Sequence, residues 1–118
     1  TWRDFRSGAY DIYAQKINSS GVVQWLANGV AISIAANNQI TPIIVSDDSG
    51  GAIITWEDYR SGTYDIYAQK INSSGVVQWA ADGVAISTAD YDQLKPSIVS
   101  DGSGGAIITW YDNRSGMD

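Results

Sequence analysis

The chain has 118 residues, 44% of them hydrophobic, and a net charge of -6 set by twelve Asp and one Glu against seven Lys and Arg. It contains neither Cys nor His, which excludes disulfides, the usual zinc and copper sites, and Ser-His-Asp or Cys-His catalysis. The acidic balance argues against nucleic acid or anionic lipid as a partner, and no run is apolar enough for membrane insertion.

Five Trp, seven Tyr and abundant Ile and Val favour strands. In chain order, TWRD (Thr1 to Asp4) ends a strand, and the turn after it leads into YDIYAQKIN (Tyr10 to Asn18), a further strand. SSG then turns the chain into VVQW (Val22 to Trp25), read as the next strand. PIIVSD (Pro42 to Asp47) opens the following unit, with Pro at the first strand residue, where its missing N–H is tolerated. DSGG is a turn, and AIITWED (Ala52 to Asp58) is a second strand, apolar on both faces. YRSG turns into YDIYAQKIN (Tyr64 to Asn72), the third strand, and SSG turns into VVQW (Val76 to Trp79), the fourth. Asp82-Gly83 marks a turn and VAIS a short extension. PSIVSD (Pro96 to Asp101) and AIITW then begin another unit.

Residue i matches residue i+54 throughout: 47 of the 64 comparable pairs are identical. Such a period indicates a repeat architecture in which each unit packs on its neighbours. A four-stranded antiparallel meander of this length, buried on both faces, predicts an all-β fold: a β-propeller of blades of 54 residues. A β-solenoid is the runner-up, and tandem β-sandwiches would need longer units. Residues 1–41 would hold strands three and four of one blade with a connecting loop, 42–95 a complete blade with its loop, and 96–118 strands one and two of the next.

The motif W-x-D-x-R-S-G-x-Y-D-I-Y, at Trp2 to Tyr13 and Trp56 to Tyr67, is similar to the repeat of TolB-type propellers. Ser46 to Trp56 also resembles, more loosely, the Asp-box turn of sialidase-type propellers. Both resemblances imply a propeller. The TolB-type one implies a bacterial, exported, protein-binding module in the periplasm, the medium or the cell surface. No signal peptide opens the sequence, which starts inside a repeat.

One whole blade and two complementary halves cannot close a ring. Either the chain is part of a longer propeller, or several chains share one ring, each end half completing a blade with a neighbouring copy. The repeated ends, Thr1 to Tyr10 and Thr109 to Asp118, would then be redundant at each joint.

A catalytic centre needs one constellation, whereas residues common to every copy are structural or form a multivalent site. Asp58, Arg60 and Asp65, with their twins Asp4, Arg6 and Asp11, read as a turn network in which the Arg bridges two Asp. The alternative is a carboxylate-lined rim for a cation or a sugar. Repeated Trp residues read as packing between blades, with Trp25 and Trp79 the more exposed pair. Asp47 and Asp48 lack the spaced oxygen ligands of a calcium loop.

Differences between the copies cluster in two places, AANNQIT against ADYDQLK and the turn between strands two and three. In a meander both lie at one end of the blade, which makes Arg3, Glu57, Tyr59, Tyr91, Asp92 and Lys95 the ligand-binding candidates. The expected function is non-enzymatic: protein binding or self-assembly, without cofactor or metal. Multivalent glycan binding is the alternative. A sialidase-like hydrolase would want converging Arg and a carboxylate–Tyr pair, and the only Glu is Glu57.

Overall fold

The computed structural model describes residues 1–116. The last two residues of the third copy, and of the 96–118 segment, lie outside the described residues. The fold is all-β, with no helix among the described residues. Nine strands run β1 (Trp2–Asp4), β2 (Asp11–Ala14), β3 (Val30–Ser33), β4 (Gln39–Ser46), β5 (Ala52–Asp58), β6 (Asp65–Ile71), β7 (Val84–Ser87), β8 (Gln93–Ser100) and β9 (Ala106–Asp112). They form three antiparallel sheets, ordered β1-β2-β3, β4-β5-β6-β7 and β8-β9.

The central sheet shows why the repeat makes four strands. β5 pairs with β6 without a break from Ala52↔Ile71 to Asp58↔Asp65. Alternation sends Ile54 and Trp56 to one face, where they join Ile12, Ala14 and Ile32 of the first sheet in a buried core. The third sheet covers the other face, through contacts of β8 with β4, β5 and β6. With neighbours on both sides, every residue of β5 is buried.

Two strand assignments are corrected. VVQW is not the fourth strand; that position belongs to VAIS, paired with β6 as Tyr67↔Ala85 and Ala68↔Val84. VVQW reaches the sheet only through an isolated bridge, Ile71↔Val77. Between these two segments the buried side chain of Gln69 replaces main-chain pairing. Its Oε1 accepts from the N–H of Lys70 (3.0 Å) and of Trp79 (2.9 Å), and its Nε2 donates to the Ala80 carbonyl at 2.7 Å. Gln15 does the same in the first sheet, toward Lys16, Trp25 and Leu26.

The first strand of the unit begins at Gln39, not Pro42. Pro42 lies inside it, where the register slips between Ile40 and Ile43. A bulge suits a residue with no N–H to give the ladder. Thr41, just before it, takes φ 57°, and Lys95 before Pro96 takes φ 53°.

Candidate functional site

The strongest repeated constellation is the turn after β5. Trp56 is buried, and its Nε1 donates to Asp58 Oδ2 at 2.8 Å. Arg60 closes a fork on the same carboxylate, Nε to Oδ1 at 2.8 Å and Nη2 to Oδ2 at 2.6 Å, and its guanidinium lies 3.8 Å over the Tyr67 ring. Fork geometry and charge make these the strong hydrogen bonds of the turn. Burial is the largest influence and works to lower the Arg60 pKa, but the bond and charge of Asp58, together with Tyr67 and Asp82, hold it above its ordinary value.

Arg60 does not bridge two Asp. Its further partner is the Asp82 main-chain carbonyl, at 2.7 Å. Asp65 instead accepts from the Ser61 hydroxyl at 2.7 Å, and burial pushes its pKa up. The first copy repeats this: Arg6 forks Asp4 and reaches the Asn28 carbonyl, while Ser7 donates to Asp11. The network that ties Asp58, Arg60 and Trp56 therefore anchors the Asp82-Gly83 turn. There a Cβ on Gly83, at φ 93°, would lie 2.6 Å from Trp56 Cη2.

The six variable-end residues fall into two pairs and two single residues at the same end of the strands. Glu57 and Lys95 meet directly: Glu57 is buried, and its Oε2 accepts the Lys95 main-chain N–H at 2.6 Å. The Lys95 ammonium stands 5.6 Å over Tyr111. Tyr59 and Asp92 flank Tyr64, with ring centroids 4.8 Å apart for the tyrosines and the Asp92 carboxylate accepting the Tyr64 N–H at 3.0 Å. Burial, followed by the Glu57 charge, raises the Tyr64 pKa. Arg3 stands apart on the first sheet, 4.5 Å over the Tyr10 ring. Tyr91 projects into solvent, 58% exposed. Of the six, Glu57 and Asp92 are thus engaged within the fold. Asp92 also borders an open cleft of about 450 Å³ shared with Leu94, Tyr111, Asp112 and Asn113.

The aromatic and acidic turns at the opposite end bond mostly within the fold. Trp25 is half-buried over Gly75, and its Nε1 donates to the Ser73 carbonyl at 3.0 Å in the next sheet. Only Trp79 of that pair stands exposed. Asp47 Oδ1 accepts the N–H of Ser49 (2.8 Å) and Gly51 (2.9 Å), which closes a plain turn and lowers the Asp47 pKa. Among the described residues, no group of His, Cys, Asp or Glu is placed to hold a metal ion.

Sequence reasoning missed two contributors. Gln39 and Gln93 are wholly buried beside the variable loops, each Nε2 donating to loop carbonyls. Lys16 and Lys70 reach into the next sheet, to the carbonyls of Gly50 (2.8 Å) and Gly104 (2.7 Å). The signal for both was a polar residue kept at an otherwise strand-like position in each copy.

No protein-family model, curated protein or solved structure matches this chain. No helix among the described residues is long and apolar enough to cross a membrane.

Proposed function

We propose that the chain is a non-enzymatic repeat module of β-propeller type, each unit supplying one four-stranded blade, and that it works by binding protein, further copies of itself included. The observation that carries this reading is the recurrence of sheet-to-sheet bonds at the sequence period. Lys16 to Gly50 recurs as Lys70 to Gly104, and the Gln39 N–H to the Tyr10 carbonyl recurs as Gln93 to Tyr64. Sheets joined to their successors by the same bonds are what radial repetition requires. A β-solenoid stacks its coils through parallel pairing, whereas the paired strands here are antiparallel.

The likeness of the Trp56 to Tyr67 motif to TolB-type repeats supports the same reading and, with it, export from the cell. Use of the repeated Asp, Arg and Trp as struts supports a scaffold over a catalyst. The partner surface is the variable end, where Tyr91, Phe5 and Tyr111 are exposed. Glycan binding by one aromatic per repeat finds less support, because Trp25 is covered by the next sheet.

The test is to join units at the natural period and follow the particle by small-angle X-ray scattering. The radius should stop growing when the stack closes, with a profile fitted by a disc with a central channel. A radius that climbs with every added unit would mean an open rod and would overturn the propeller reading.

A further inference from the structure

β5 and β9 are identical at six of seven positions, yet β5 is buried throughout while β9 is exposed at alternate residues. Ile53 is 0% exposed and its equivalent, Ile107, 58%. The cause is that β8 lies over the Ile53 face of β5, whereas no sheet lies over the Ile107 face of β9 among the described residues, where β9 also has β8 on one side only. The first sheet carries the complementary deficit. Only the three residues of β1 cover the edge of β2, and Ile17 just beyond is 62% exposed where its equivalent, Ile71, is 0%. Likewise Trp25 is seated on Gly75, while Trp79 has no such seat among the described residues.

Resting on the reading of the sheets as interchangeable units, we propose that β9 of one copy pairs with β2 of a second copy, displacing that copy's β1. The register runs antiparallel from Ala106 opposite Ile17 to Asp112 opposite Asp11. The occupant follows from the repeat itself. Asp11 to Ile17 reads DIYAQKI, the same seven residues as β6, which β5 already pairs with in this register. Every copy therefore presents the partner strand that β9 lacks.

The exchange preserves the local bonds. Trp2, Asp4 and Arg6 give way to Trp110, Asp112 and Arg114, whose indole and guanidinium bonds to the Asp112 carboxylate are already formed. Arg114 then takes the Asn28 carbonyl of the second copy, as Arg6 does within one chain. Trp79 covers Gly21 and donates to the Ser19 carbonyl of that copy, as Trp25 does to Gly75 and Ser73. A seven-residue strand replaces a three-residue one, and Ile107 and Ile17, on opposite faces of the new pair, are covered by the central sheets of the second and the first copy respectively, as Ile53 and Ile71 are by their neighbouring sheets. The contact joins unlike surfaces, so copies add head to tail until the rotation closes.

The chain has no Cys, which makes the register directly testable. Thr109→Cys in one preparation and Ala14→Cys in another should form a mixed disulfide dimer on oxidation, because these positions face each other as Thr55 and Ala68 do. Thr109→Cys mixed with Ile17→Cys, three residues out of register, should not. Light scattering of the unsubstituted chain should show a mass that rises with concentration; Ile107 is exposed in the separate chain, so Ile107→Lys leaves the fold intact and should abolish that rise. A single-chain mass at every concentration would overturn the proposal, as would Thr109→Cys cross-linking to itself, which would set β9 against β9. A rod-like joined array with a positive cross-link would sink the ring and leave the strand exchange standing. A closed array with a monomeric 118-residue chain would do the reverse.

Discussion

The Trp-x-Asp-x-Arg turn occurs in the middle of the molecule and at both ends, and the three copies differ in surroundings far more than in bonding. The indole-to-carboxylate distance is 2.8 Å in the middle and 2.9 Å at each end. The Arg-to-Asp contact lies between 2.5 and 2.7 Å in all three. The Asp side chain, however, is 0% exposed in the middle, 14% at the first copy and 20% at the last. Five adjacent residues suffice to build the hydrogen bonds, while neighbouring sheets decide how much those bonds and their Trp contribute. Identical local structure should therefore have unequal energetic weight.

The largest expected contrast is at the indole. Trp56→Ala should cost about 3–5 kcal/mol in denaturant unfolding, the usual range for emptying a buried aromatic site, and Trp110→Ala less than half as much. Equal losses would break the comparison. Next comes the glycine beneath each indole. Gly83→Ala puts a methyl against Trp56 at a left-handed φ and should cost about 2 kcal/mol. Gly29→Ala should cost less, since Trp2 borders an open cleft into which it can move. Arg60→Ala should cost about 1–3 kcal/mol by stranding the buried Asp58 and the Asp82 carbonyl. Arg6→Ala and Arg114→Ala, at exposed forks, should lower the unfolding midpoint far less than Arg60→Ala does.

The smallest effect is the response to acid. Arg6 and Arg114 hold the carboxyls of Asp4 and Asp112 well below the usual range, and the N–H groups of Ser49 and Ser103 lower Asp47 and Asp101. A depressed carboxylate contributes stability that is complete above its unfolded pKa and is lost as pH falls through the folded one. Asp65 has the opposite sign: burial raises its pKa, so the folded state gains stability as Asp65 takes up a proton before the others do. Asp65→Asn should remove that gain, and the thermal midpoint should then decline monotonically with acid. An unchanged pH profile would sink this assignment.

What could be read in advance followed the range of each interaction along the chain. The fork of Arg60 on Asp58 spans two residues and was legible from D-x-R alone. Its bond to the Asp82 carbonyl spans 22 residues and uses main chain, which leaves no side-chain signature. The same holds for Glu57: as the only Glu at a variable turn position it resembled a surface ligand group, but its partner is a main-chain N–H 38 residues away. The repeat signals four strands per unit but points to VVQW for the fourth, because Val and Trp are strand-forming residues and the role of the repeated Gln, to receive the chain after Val77, leaves no such mark. The ordinary rule puts Pro42 at a strand start, and a bulge offers it a second permitted position.

Side-chain closure by Gln15 and Gln69 has a bearing on the direction in which material can accrete. The outer rim of each completed sheet offers a four-residue strand, β3 or β7, and then a single bridge. A foreign strand adds sideways to a long, uninterrupted row of free N–H and C=O groups, and that row is broken where the glutamine amide stands in for backbone. Lateral widening of the sheets, the route to fibrils, is obstructed at the rim. The broad faces carry no such obstruction, so growth is steered along the axis in which the repeats already follow one another.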